Sequence, residues 1–371
     1  MTAKATATRR AYLTNWTVSV PIVALIALLL TWGRELSGPV VVVVSLCLAG
    51  AVLAAVHHAE VVAARVGEPF GSLVLAVAVT FIEVALIVTL MISGTPEKTA
   101  SLARDTVFSA VMITCNGIVG LCLLVGALRR RIAVFNPEGT GGALATVATL
   151  ATLSLVFPAF TTSEPGPEFS PAQLTFAAVA SLGLYGLFVA VQTVRHRDYF
   201  LPITSAGEVV DSEEHADPPS HTAALVSLGL LTAALIAVVG NAKSVSPTIE
   251  SGVAAAGFPP TVVGVIIALL VLLPETLAAV RAALRDRVQT SLNLAYGSAM
   301  ASIGLTIPAI AIASIWLDGP LTLGLPATQL VLLGLTVVVG ILTVVPGRAT
   351  PLQGGVHLSL LAAFVFLAVR P

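Results

Sequence analysis

The sequence predicts an all-α polytopic membrane protein with about eleven transmembrane helices: one N-terminal helix plus two inverted five-helix repeats. Three observations predict it. Only 10% of the 371 residues are Asp, Glu, Lys or Arg, against about a quarter in soluble domains. Hydrophobic residues reach 57% with only 5% aromatics, so the apolar mass is Ala, Val, Leu and Ile, and the mean hydropathy is +0.99. The polar residues collect in short breaks between long apolar runs. This composition excludes a soluble enzyme, a disordered chain and a disulfide scaffold. A net charge of −1 offers nucleic acid no electrostatic attraction, so membrane lipid is the surrounding to expect. Nothing in the sequence signals an oligomeric state.

A bilayer core about 30 Å thick takes about 20 helical residues. Spans then fall at 17–33, 39–59, 70–93, 106–128, 141–160, 172–194, 222–241, 260–281, 288–316, 322–345 and 353–370. Lys4, Arg9 and Arg10 precede the first span as in a signal peptide. Yet no Ala-x-Ala cleavage site follows, and Trp16 and Trp32 bracket it as interfacial anchors would, so it reads as a retained helix. The second span ends on His57, His58 and Glu60. Cys47, Cys115 and Cys122 lie inside apolar runs and read as small buried side chains.

Basic residues test the span count, because cytoplasmic loops hold most Lys and Arg. With the N-terminus inside, the cytoplasmic set is Lys4, Arg9, Arg10, Arg65, Arg129, Arg130, Arg131, Arg195, Arg197, Arg281, Arg285, Arg287 and Arg348. Arg34, Lys98, Arg104, Lys243 and Arg370 remain outside. A split this uneven fits eleven alternating spans in a cell membrane, with a cytoplasmic N-terminus and an external C-terminus. The chain divides into a tail and first helix (1–38), a first repeat (39–194), a linker (195–221) and a second repeat (222–371). The linker holds Glu208, Asp211, Glu213, Glu214, His215 and Asp217. It reads as a solvated connection or as a cation or pH sensor.

Nearly all carboxylates stay in loops or at span ends, and Glu83 and Glu275 are the exceptions. Each is embedded in an apolar run, with no Lys or Arg within one helical turn. A carboxyl at the bilayer centre costs at least about 2.5 kcal/mol, so such residues usually face a cavity and carry function, although a protonated Glu can also join helices by hydrogen bonds. The two match: each has Ala seven residues earlier and Val four residues earlier, in the second span of its half. The next spans open on Arg104-Asp105-Thr106-Val107 and Arg285-Asp286-Arg287-Val288. Two sets of five spans run in opposite senses because five is odd, and inverted repeats of this kind place a transport site at the midplane.

Pro274 removes a backbone N–H just before Glu275 and frees a carbonyl one turn earlier. Two carboxylates with hydroxyls and carbonyls suit a hard cation such as Ca²⁺. The candidate neutral ligands are Thr80, Asn116, Asn293 and Ser298, each of which also fits plain helix packing. The same glutamates can bind protons, since burial raises a carboxyl pKa and a bound cation lowers it. Competition between proton and cation at one site couples their movements.

Gly67-Glu68-Pro69-Phe70-Gly71-Ser72-Leu73 followed by Glu83, and Pro274-Glu275 followed by Asn293 and Gly297-Ser298, resemble the bacterial calcium/proton antiporters of the ChaA type. Those belong to the cation/calcium exchanger superfamily. The likeness also takes in Arg104-Asp105-Thr106, Gln192-Thr193, the acidic central loop and Val288-Gln289. The resemblance implies exchange of Ca²⁺, and in some relatives Na⁺ or K⁺, for H⁺, with the paired glutamates as the transport site and no cofactor. The superfamily's common Gly-Asn-Ala-x-Glu pattern is replaced by Val79-Thr80-Phe81-Ile82-Glu83 and Val271-Leu272-Leu273-Pro274-Glu275. The Asn is missing from both helices, which leaves the choice between Ca²⁺ and monovalent cations open.

Two other classes compete. A passive cation channel would also line a pore with acidic side chains, but inverted repeats favour alternating access. An intramembrane metal-dependent enzyme could use two carboxylates, but no His pair or Asp-rich motif accompanies them. No Gly-x-x-x-x-Gly-Lys-[Ser/Thr] motif marks ATP-driven transport.

Overall fold

The computed structural model describes residues 16–34, 36–67, 70–93, 100–203, 218–316 and 319–371. Lys4, Arg9, Arg10, Lys98 and the acidic stretch from Glu208 to Asp217 lie outside the described residues. In chain order the helices are α1 (Trp16–Thr31), α2 (Gly38–Val66), α3 (Phe70–Ser93), α4 (Leu102–Met112), α5 (Val119–Arg130), α6 (Pro137–Ala151), α7 (Pro171–Ala190), α8 (His221–Ala255), α9 (Thr261–Val271), α10 (Leu273–Leu284), α11 (Val288–Ala313), α12 (Ala327–Val344) and α13 (Pro351–Val369). A π-helical turn, Ile113–Ile118, joins α4 to α5 in one 29-residue span. Two more π-helical turns, Thr152–Val156 and Val191–Arg195, follow α6 and α7.

Among the described residues, eight helices are long and apolar enough to cross a membrane. A ninth crossing is the pair α9 and α10, bent by 52° at Leu272, and shorter apolar helices at Trp16–Thr31 and at Val77–Ile92 within α3 complete the eleven expected crossings. Helix starts follow local chemistry. Asn136 Oδ1 accepts from the backbone N–H groups of Glu138 and Gly139 ahead of α6, Ser170 and Gln173 form a reciprocal cap on α7, and Pro occupies the first turn of both.

Helix ends differ from the apolar runs in one informative way. The run at 222–241 is the apolar part of α8, which continues through Lys243, Pro247 and Glu250 to reach 35 residues. At 1.5 Å per residue that is about 52 Å, well beyond a hydrocarbon core of about 30 Å. Similarly α2 passes through Glu60 to Val66. Hydropathy marks the part that lipid surrounds, whereas backbone hydrogen bonding carries a helix on into the polar region.

The chain forms two compact units, Met1–Ser93 with His215–Ala256, and Gly94–Glu214 with Gly257–Pro371. In the first, α1, α2 and α8 pack pairwise and α3 lies against α2 and α8. Gly240 permits the close approach of α8 to α1, because a Cβ there would sit 2.5 Å from the Leu28 methyl carbons. Asn241 Nδ2 donates to Ala24 O at 2.9 Å nearby. His58 on α2 ties the other end, with Nε2 2.8 Å from Thr17 O and Nδ1 3.3 Å from Ser227 Oγ.

In the second unit α11 packs on α6, α7 and α10, while α13 packs on α5. α9 lies on α4 and α10 on α5. Contacts between connections test the alternation of spans. Ala133–Val134 (β1) pairs antiparallel with Arg348–Ala349 (β2), Arg130 bridges Asp286 at 2.7 Å, and Asn136 N donates to Gln289 Oε1 at 2.6 Å. At the opposite helix ends Thr322 N donates to Ala100 O and Gly324 N to Pro167 O. In the first unit Lys243 lies 5.6 Å over the Trp32 ring. Each of these contacts joins two connections that eleven alternating spans put on one membrane face.

Candidate functional site

Glu83 sits 13 residues after the start of the 24-residue α3. It is buried, at 5% exposure, beside Ile82 at 1%. Thr80, three residues earlier on the same helix face, is buried at 6%. The carboxylate therefore lies near the middle of its crossing, as the apolar run around it requires.

Glu275 lies at a matching depth, 14 residues after the start of α9 and 9 before the end of α10. The bend places it in the first turn of α10, where the unsatisfied N–H groups favour a negative charge. Pro274 is buried and has no N–H to return to Leu270 O, so the break leaves a carbonyl oxygen beside the carboxylate as the sequence indicated. Thr276 Oγ1 donates to Leu272 O at 2.7 Å and closes the new turn.

Both arms of the broken crossing are anchored. A Cβ at Gly264 would lie 3.0–3.1 Å from Asp105 and the Thr106 nitrogen, so α9 meets the α4 backbone directly. Asp105 is itself held by Arg104 Nε at 2.8 Å and Ser101 Oγ at 3.1 Å. At the other arm, Ser291 Oγ donates to Ala279 O at 2.8 Å and Arg129 Nη1 donates to Leu284 O. The Arg130 guanidinium holds the exposed Asp286 carboxyl below its ordinary value. Asp286 takes a positive φ of 61° in the turn out of α10.

The expected neutral ligands are distributed differently. Asn116, fully buried in the π-helical turn, donates Nδ2 to Thr336 Oγ1 at 2.9 Å, and its Oδ1 lies 3.1 Å from His357 Nδ1. Asn293 lies only five residues into α11, nearer the span end than the expectation placed it. Its Nδ2 donates to Phe200 O at 2.6 Å and its Oδ1 accepts from Gln289 Nε2 at 2.8 Å. Both carboxamides thus serve helix packing in this structure. Ser298 is half-buried on α11. Among the described residues no three His, Cys, Asp or Glu side chains gather as a metal cluster, so a cation here would depend on carboxylates supplemented by neutral oxygens.

His357, Thr343 and Thr336 were not singled out by the sequence. His357 carried a usable signal, a lone imidazole within an apolar span; the threonines carried none, since hydroxyls are common in buried membrane helices.

Comparison with known proteins gives a consistent result. The model for the family "Sodium/calcium exchanger protein" matches residues 36–194 and 226–370. The chain is 46% identical over 370 residues to the ionic transporter y4hA of Sinorhizobium fredii, covering 98% of each chain. It is 34% identical over 349 residues to the sodium-potassium/proton antiporter ChaA of Escherichia coli, covering 93% of each. Among solved structures, native YfkE superposes with a TM-score of 0.67 at 18% identity, over 96% of this chain and 99% of YfkE. The H⁺/Ca²⁺ exchanger CAX does so with a TM-score of 0.66 at 15% identity, over 94% and 86%. These two likenesses establish the fold.

Proposed function

Because the chain belongs to the sodium/calcium exchanger protein family, a family of transporters that use no cofactor, we propose that this multi-pass membrane cation antiporter exchanges Ca²⁺ for H⁺ at Glu83 and Glu275. Na⁺ and K⁺ are the further candidate cations, because the relative from Escherichia coli is named for them and the Asn of the superfamily pattern is absent here. The observation that carries this reading is the matched mid-span depth of the two glutamates on crossings of opposite sense.

Proton and cation compete for the carboxylates. An ionised pair attracts a divalent cation, and protonation neutralises the pair and releases it. Neutral oxygens complete the shell, with Thr80 on α3 and the carbonyl freed by Pro274 on α10 as the nearest in sequence. Alternating access between the repeats exposes the site to one face at a time. The excess of Lys and Arg in one set of loops supports a cytoplasmic N-terminus in the cell membrane.

The test uses the full chain in proteoliposomes with an imposed proton gradient. Ca²⁺, Na⁺ and K⁺ are supplied separately. The proposal expects gradient-driven Ca²⁺ uptake and dissipation of the gradient by added Ca²⁺. Cation movement that ignores the gradient would indicate a channel, and uptake of Na⁺ or K⁺ alone would overturn the Ca²⁺ assignment.

A further inference from the structure

The strongest unassigned feature is a buried side-chain network on the second unit, around the π-helical turn Ile113–Ile118. Its origin is glycine packing. A Cβ at Gly120 would lie 2.9 Å from His357 Cβ, and one at Gly354 would lie 2.6 Å from the Leu124 nitrogen. These two glycines let the α13 and α5 backbones approach as small residues do in membrane helix pairs. The approach delivers His357, 1% exposed, to the turn.

Hydrogen-bond directions follow from donor counting. Thr336 has one hydroxyl proton, which goes to Leu332 O at 2.8 Å, so its oxygen accepts from Asn116 Nδ2. That fixes the carboxamide with Oδ1 towards His357. An amide oxygen only accepts, so His357 Nδ1 carries a proton and donates it across 3.1 Å. The other ring nitrogen, Nε2, lies 3.1 Å from Thr343 Oγ1. Asn116 is therefore clamped by α12 through Thr336 and by α13 through His357.

A π-helical turn inserts an extra residue into an α-helix and persists where surrounding structure supports it, often at functional sites. This turn packs against α10, α11, α12 and α13. α10 carries Glu275 in its first turn. Relaxation of the π-helical turn to α would rotate its neighbours by about 100° relative to one another, changing the surface offered to α10.

We propose that His357 is a positioning residue for cation binding: its Nδ1–H bond to Asn116 fixes the π-helical turn against the helix that carries Glu275. The inference rests on the reading of Glu275 as part of the transport site. Substitutions can address individual ring atoms. The amide nitrogen of Asn overlays imidazole Nδ1, whereas that of Gln overlays Nε2. In proteoliposomes under one fixed proton gradient, H357Q and H357L should raise the cation KM about tenfold, the cost of one buried hydrogen bond. H357N should stay near the parent value, and maximal rates should change less than KM in all three.

Equal KM values in H357N and H357Q, whether both raised or both unchanged, would overturn the proposal and leave His357 a space-filling residue. Should H357L not fold, the comparison of H357N with H357Q still decides. A parallel E275Q arm separates the two readings. Retained exchange there sinks the transport site itself, whereas loss of exchange in E275Q with indifferent His357 variants sinks this inference alone.

Discussion

Asn116 and Asn293 orient their carboxamides in the same sense at different depths: in each, Oδ1 faces a side-chain nitrogen and Nδ2 donates to an oxygen on another element. The first joins helices at mid-span, whereas the second fastens the segment after α7 to α11. Phe200 adds an edge-to-face contact with Phe188 at 5.6 Å. Gly139 leaves room for the Tyr199 carbonyl, which a Cβ would meet at 2.2 Å.

Replacing Asn293 by Ala should release that segment, since Phe200 O would lose its side-chain donor. An unsatisfied buried acceptor costs about 1–3 kcal/mol. Hydrogen exchange and protease cleavage around 197–203 should rise while the rest of α11 stays protected. Unchanged protection there would show that Asn293 does not fasten the segment.

Glu83→Gln and Glu275→Gln should each abolish cation-driven proton movement while the detergent-solubilised protein keeps its helical content and elution volume. The amide preserves shape and removes the charge that a cation requires. Retained exchange in either variant would remove that residue from the site.

Gly354→Ala should destabilise the second unit, because the added methyl meets Leu124 N at 2.6 Å and Gly120 O at 2.8 Å, backbone atoms that no rotamer change can move. Overpacking of this kind costs about 1–3 kcal/mol, to be read as a lower midpoint of thermal unfolding in detergent. At Gly355 a Cβ would meet nothing within 4 Å, so Gly355→Ala supplies the control substitution in the same helix turn.

The Arg130–Asp286 pair predicts a small pH dependence of known sign. Arg130 lowers the Asp286 pKa, so the stabilisation is full at neutral pH and disappears as the pH falls through the lowered value. Asp286→Asn keeps a residue that tolerates positive φ and removes the charge. Parent and variant should therefore differ slightly at neutral pH and low salt, then converge in acid or at high salt, as exposed pairs do. A difference that grows on acidification would contradict this.

Much of the architecture was legible in the sequence because lipid imposes a strict length and polarity on each crossing. Glu83 and Glu275 stood out for the same reason: a carboxyl within Leu, Ile and Val has few structural excuses. Pro274 located the bend, although the sequence could not supply its 52°. The π-helical turns left no signature, since Ile113-Thr114-Cys115-Asn116-Gly117-Ile118 reads as ordinary helix. Asn116 could not be joined in advance to His357, 241 positions away, because nothing local to either residue encodes the other. The linker acids remain an expectation from sequence, lying outside the described residues.

The ties between α1 and α8 have a consequence for how the protein is made. Ala24 and Asn241 meet across 217 positions of chain, and at about 5–20 residues per second of synthesis that separation is roughly 10–40 s. The first helix to leave the ribosome therefore waits through much of translation before its partner exists. Until then it must rest in the bilayer on α2 alone, and the buried carboxamide of Asn241 must find Ala24 late, when all the crossings between them are already inserted.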